Sequence, residues 1–267
     1  MNGVHAEGVA RYAAAIAAGG LVGVLGGLVG LGGAEFRLPL LLVVFGFAAL
    51  QAVILNKAMS LVVVSSALIF RSSTVPPSDI AAHWMAVVNL LAGSLAGAWL
   101  AAGWATRWNA ATLHRVIAVL LVLIALVLLT AHGQGVRQPA LDGAWLVIAG
   151  IAAGLVIGAV ASLLGVAGGE LLIPTLVLLF GIDIKLAGSL SLAVSLPTML
   201  VGFARYSRDS SFAVLQANCA FMFAMAAGPI VGAAVGGWWL GAVPSSVLLP
   251  GLAAILLVSA LKTWRHT

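Results

Sequence analysis

The sequence predicts an all-α, polytopic helical membrane protein built from two homologous halves, each with four long segments and one short broken or re-entrant segment after a Gly-rich motif. Three observations carry this prediction. The 267 residues include only 12 Lys and Arg and 7 Asp and Glu, 7% of the chain, against about 25% in an average soluble domain. With 63% hydrophobic residues and a mean hydropathy of +1.20, too little polar surface is left to cover a water-soluble enzyme. Disordered chains, by contrast, are apolar-poor and charge-rich. The apolar stretches are continuous and many approach the roughly twenty residues that cross a bilayer as a helix. They are not the roughly ten-residue alternating strands of an outer-membrane barrel. Finally, the pattern occurs twice.

The long candidate segments are 11–31, 50–70, 82–104, 112–131, 143–165, 186–204, 213–240 and 246–262. The first resembles a secretory leader with Arg11 as its basic flank. Its apolar run continues to Leu31 with no polar region after it, so it reads as the first membrane helix. Two more stretches, 36–49 and 171–182, are too short to cross comfortably and suggest half-helices or re-entrant segments. The chain therefore crosses eight times, or ten if the short segments cross. The connections are short, which leaves no extramembrane domain.

Shifting the sequence by 135 positions lays GLGGAEFRLP (30–39) on GVAGGELLIP (165–174). Without a gap, Phe45 and Gly46 fall on Phe180 and Gly181, Ala52 on Ala187, Ser60 on Ser195, Gly93 on Gly228, Gly97 on Gly232 and Trp104 on Trp239. A register held that far marks a duplicated unit. It divides the chain into a tail (1–10), a first transmembrane repeat (11–131), a loop (132–144) and a second repeat (145–267). Positive charges favour both termini in the cytoplasm whether or not the short segments cross, so the halves stay open as inverted or parallel repeats. The net charge of +5 comes from sparse cations in loops and helix ends, with no basic run longer than two residues, so no nucleic-acid partner is expected. Cys219, the only cysteine, lies in an apolar stretch and reads as inert packing.

The chemistry concentrates in the duplicated motif. Gly32, Gly33, Gly168 and Gly169 let the chain leave helical geometry and let a ligand approach the backbone. Pro39 and Pro174 suit the first turn of a new helix. The motif thus reads as helix, break, short helix, and helix N-termini at such breaks offer free N–H groups to an anion. No Gly-Lys-Ser/Thr ending makes it a phosphate loop. The alternative is a close helix crossing allowed by small residues. Glu35 and Glu170 occupy equivalent positions, and a carboxyl deep in a bilayer is a functional candidate by default. They could exchange protons, pair with Arg37 and Lys57, or reach the interface. Arg37 and Lys57 face Leu172 and Leu192 in the other half, and a one-sided cationic pair suits a single anion site. Alternatively, Arg37 neutralises Glu35 and Lys57 lies at a helix entry. Asn56 faces Ser191 and, with Ser60, Ser189 and Ser195, supplies neutral hydrogen-bonding groups. Arg71 and Arg205 read as interfacial anchors and His83 as a structural residue at a helix entry. Five scattered His and one Cys show no metal-ligand spacing, no cofactor motif is present, and the parts of a membrane hydrolase are missing.

The segments GLVGLGGAEFRLPLL (27–41) and LLGVAGGELLIPTL (163–176), followed by AVILNKAMSL (52–61) and AGSLSLAVSL (187–196), resemble the TauE/SafE sulfite-exporter family over nearly the whole chain. Ala34 stands where the first motif often has a third Gly, Ala167 interrupts the second, and Leu55 replaces a polar Thr. The resemblance implies a bacterial inner-membrane permease, not an enzyme, for a small sulfur-containing anion such as sulfite or an organosulfonate. A potential negative inside favours anion exit by about 2.3 kcal/mol per charge per 100 mV, so export needs no ATP. The expected substrate site comprises Gly32, Gly33, Glu35, Arg37, Asn56, Lys57, Gly168, Gly169, Glu170, Ser189 and Ser191, with Glu35 and Glu170 available for proton coupling. The lipid bilayer is the expected surrounding. A coupling proton and a second copy of the chain stay open as partners. An anion channel and a non-transporting membrane scaffold subunit are the alternatives.

Overall fold

The computed structural model describes residues 12–24, 33–71, 81–130, 141–239, 254, 256–258 and 260–265. In chain order these form α1 (Tyr12–Val24), α2 (Ala34–Pro39), a π-helical turn (Leu40–Val44), α3 (Ala49–Arg71), α4 (Trp84–Ala105), α5 (Ala110–Thr130), α6 (Gly143–Leu164), α7 (Gly169–Phe180), α8 (Ile184–Tyr206), a 3-10 turn (Ser210–Ala213), α9 (Val214–Ala217) and α10 (Cys219–Trp239). Helical residues recur between 254 and 265, and no strand occurs among the described residues. Among the described residues, four helices are long and apolar enough to cross a membrane: Ala49–Leu68, Trp84–Ala105, Gly143–Leu164 and Leu186–Tyr206. Their outward side chains, including Val88, Ile148, Ile151, Leu155 and Val156, are exposed. Exposed Trp84 and Trp104 mark the two ends of α4, and Trp145 the start of α6, as aromatic residues do at membrane interfaces. The chain is a multi-pass membrane protein.

Backbone geometry recurs at the 135-residue offset. Gly33 (φ 70, ψ 17) and Gly168 (φ 80, ψ 11) precede α2 and α7 in the left-handed conformation, which glycine adopts without a Cβ clash. Gly46 and Gly181 repeat it at φ 67 and 66. His83 (φ −111, ψ 21) and Asn218 (φ −125, ψ 27) leave the helical region just before α4 and α10.

The long helices exchange partners between the halves. A Cβ on Gly154 of α6 would lie 2.3 Å from the Leu90 carbonyl oxygen of α4, and one on Gly19 of α1 would lie 2.4 Å from that of Met225 on α10. These two contacts map onto each other at the same offset. The third long helix of each half therefore packs backbone to backbone on the first long helix of the other. Contacts advance in step, Gly93 with Ile151 and Gly97 with Leu155, so α4 and α6 run parallel. Small residues permit this closeness where lipid offers no hydrophobic drive between helices. Between these pairs, α3 and α8 pack on each other. They are the most enclosed spans, with 61% and 56% of their apolar windows buried against 44% for α4 and 39% for α6.

Four details differ from the sequence expectation. The short segments begin at Ala34 and Gly169 rather than 36 and 171, because the left-handed glycines already start the helix. Glu35 and Glu170 accordingly lie in first turns. Pro39 ends α2 and Pro174 sits inside α7, so neither occupies a first turn. A proline cannot donate to the carbonyl four residues back. In the first half the ladder widens after Pro39, with Phe45 N–H donating to Leu40 O at 3.0 Å. The segment expected at 213–240 is broken by 72° between its Ser210–Ala217 and Cys219–Pro229 parts. Cys219 is exposed at the start of α10 and is not core packing.

Candidate functional site

The site is built where the two broken motifs meet the inner spans α3 and α8. Four charged side chains are fully enclosed there: Arg37 and Lys57 at 0% exposure, Glu35 at 1% and Glu170 at 3%. None reaches an interface, and Lys57 lies within α3 rather than at its entry. Burial of this kind is costly unless each group is paired or hydrogen-bonded, so the partners of each decide its role.

Arg37 is tied into a structural node. Its Nε donates to Asn56 Oδ1 at 2.7 Å, and its Nη2 donates to Asn56 O at 3.1 Å and Ser60 Oγ at 2.5 Å. Asn56 Nδ2 in turn donates to Ala34 O (3.1 Å) and Leu164 O (2.9 Å), and Ser60 Oγ to Gly165 O (3.2 Å). These bonds stitch α2, α3 and the end of α6 together, and those to Leu164 O and Gly165 O satisfy carbonyls freed where α6 ends. Replacing Asn56 with alanine leaves Arg37 Nε, Ala34 O and Leu164 O without these partners. At about 0.6–1.7 kcal/mol per membrane side-chain bond, the expected loss over the three bonds is about 2–5 kcal/mol, read as a lower unfolding midpoint in detergent with no change of helix content in the folded protein.

Glu35 and Glu170 bring their carboxyl groups together from the first turns of α2 and α7. Neither carboxyl has a hydrogen-bond partner among the described residues. Arg37 acts on Glu35 through its field without a direct hydrogen bond. The pair thus links the short helices α2 and α7.

Lys57 differs from Arg37. Its Nζ donates to Ala161 O at 3.5 Å, a long contact for an ammonium with three donors. The site residues of the second half divide. Gly168 and Gly169 open α7, Ser191 Oγ bonds back to Gly188 O at 2.9 Å within α8, and Ser189 Oγ is buried without a partner among the described residues. Ser195 Oγ reaches Ala167 O at 2.7 Å, which fixes the second break. Gly32 lies outside the described residues, and Gly33 is the left-handed residue before α2.

A family profile described as Sulfite exporter TauE/SafE matches residues 12–263, a stretch that contains both broken motifs and all of these side chains. This chain belongs to the sulfite exporter TauE/SafE family. Neither the curated proteins nor the solved structures compared with it gave a match. In this TauE/SafE protein three enclosed positions escape sequence reasoning. Ser162 of α6 is fully buried with its hydroxyl unpartnered among the described residues, Gly202 of α8 lies against Lys57, and Tyr206 donates to Ser162 O at 3.0 Å. A lone glycine inside a helix is the one signal available, because it needs a packing or functional reason. Arg205 packs on an aromatic ring: its guanidinium carbon lies 5.0 Å from the Trp99 ring centroid, beside that of Arg208 at 5.2 Å. The Arg71 side chain lies outside the described residues.

Proposed function

We propose that this TauE/SafE protein is a secondary permease that exports a small sulfur-containing anion, such as sulfite or an organosulfonate, across the bacterial inner membrane with both termini cytoplasmic. The two repeats, 11–131 and 145–267, rock about a site between their broken motifs. One observation carries the reading. Two cations are fully buried beside the broken helices, and one of them, Lys57, has donors to spare beyond its 3.5 Å contact to Ala161 O. A buried cation with free donors suits an anion that passes through rather than a permanent partner. Arg37, already held by Asn56 and Ser60, shapes the site and adds positive field. Glu35 and Glu170 supply a carboxyl pair through which a proton can be exchanged as the halves rock. Discontinuous helices meeting at a repeat interface are where secondary transporters hold their substrates.

Thermal unfolding of detergent-purified protein against sulfite, sulfate, thiosulfate and small sulfonates tests the anion class. A ligand at about one hundred times its dissociation constant stabilises the folded state by about 2.7 kcal/mol. The reading expects such a rise with at least one sulfur oxyanion and none with chloride at equal ionic strength. No rise with any of them counts against it.

A further inference from the structure

We propose that Ser162 and Gly202 complete an oxyanion subsite around the Lys57 ammonium, at the crossing of α3, α6 and α8. This subsite presupposes the permease reading and adds to it two substrate-contacting positions and a size limit.

Two independent features converge on one point. A Cβ built on Gly202 would lie 2.8 Å from Ser162 Oγ and 2.9 Å from Lys57 Nζ, so an ammonium and a hydroxyl both border the bare backbone at this position. Both side chains are at 0% exposure, and the hydroxyl has no hydrogen-bond partner among the described residues. A buried hydroxyl without a partner is costly, which gives this serine a reason beyond packing. Its position is fixed, because Tyr206 of α8 holds the Ser162 carbonyl at 3.0 Å. Elsewhere in the core, Ser94 and Thr198 bond each other at 2.7 Å and Ser195 bonds Ala167 O, whereas Ser189, like Ser162, has no partner among the described residues.

The chemistry selects the ligand class. An ammonium is a compact point charge with three donors, whereas the planar guanidinium fork suits bidentate recognition. A neighbouring hydroxyl supplies a further donor, and the missing side chain at Gly202 lets an oxygen approach closely. The ensemble fits a compact, pyramidal or tetrahedral oxyanion head group, the shape shared by sulfite and the sulfonates. The first turns of α2 and α7 present Glu35 and Glu170, the carboxyl pair assigned above to proton exchange.

The test is saturable sulfite flux in proteoliposomes with wild type, Ser162→Ala and Gly202→Ala, each first checked for its unfolding midpoint. Loss of one hydrogen bond to a charged ligand raises KM by about tenfold or more, and Ser162→Ala is expected to do so. The added methyl of Gly202→Ala displaces the Lys57 ammonium, the far end of a flexible side chain, and is expected to raise KM further and to penalise bulkier sulfonates more than sulfite. Wild-type KM in both folded variants overturns the subsite and leaves the permease reading intact. Absence of any sulfur-anion flux in wild type overturns the permease reading, and the subsite with it. Should Gly202→Ala fail to fold, Ser162→Ala decides alone, since an unchanged KM there overturns the subsite.

Discussion

Replacing Lys57 with glutamine is expected to lower sulfite flux about 100-fold or more while leaving the protein as stable as wild type, or more so. The two effects separate because the ammonium is enclosed with a single long acceptor. Removing one partner of a buried hydrogen-bonded charge pair costs about 2–5 kcal/mol of binding, and each 1.4 kcal/mol is tenfold. In the unliganded protein the same change removes a charge that was costly to bury, so the unfolding midpoint should hold or rise. Lys57→Arg should not rescue flux, because the larger planar head must fit where Nζ already lies close against Gly202. Flux measured in proteoliposomes beside a thermal melt in detergent checks both halves. Wild-type flux in Lys57→Gln would remove this residue from the site.

The second large effect concerns the exchanged helix pairs. Gly19 and Gly20 are neighbours in sequence, yet alanine should act oppositely at the two. A Cβ at Gly19 would lie 2.4 Å from the Met225 carbonyl oxygen, a backbone atom that cannot step aside alone, whereas nothing lies within 4 Å of one at Gly20. Gly19→Ala must push α1 away from α10 and is expected to cost about 1–3 kcal/mol or more. Gly20→Ala is expected to be neutral or to stabilise by up to about 1 kcal/mol through helix propensity. Gly97→Ala in α4 should behave like Gly19→Ala, since its Cβ would meet the Leu155 carbonyl oxygen at 2.0 Å. Unfolding midpoints of the three variants in one detergent check this, and equal midpoints for Gly19→Ala and Gly20→Ala would contradict the packing.

The positions legible in the sequence are those where backbone chemistry is written in single residues. Gly33 and Gly168 announce the breaks because few other residues take a left-handed φ, and the matching glutamates follow from the same register. The cationic pair was visible as a departure from the repeat. What the two cations do was not visible, because the difference between them lies in their partners. Arg37 meets Asn56 and Ser60, nineteen and twenty-three positions away, while Lys57 meets Ala161 across 104. Ser162 reads in sequence as an ordinary small residue of an apolar helix and Gly202 as a minor irregularity. Only the crossing of α6, α3 and α8 sets them around one ammonium. The exchange of α4 and α10 between halves was hidden for the same reason: a stripe of small residues says that a helix is approached closely, not by which neighbour.

Counterflow of labelled sulfite into proteoliposomes preloaded with unlabelled sulfite tests the central claim most directly. A permease whose two halves rock about one anion site predicts saturable uptake with a transient overshoot that depends on the internal sulfite and is lost in Lys57→Gln. Uptake equal to that of protein-free liposomes, or uptake that rises linearly with concentration and shows no overshoot, would contradict it.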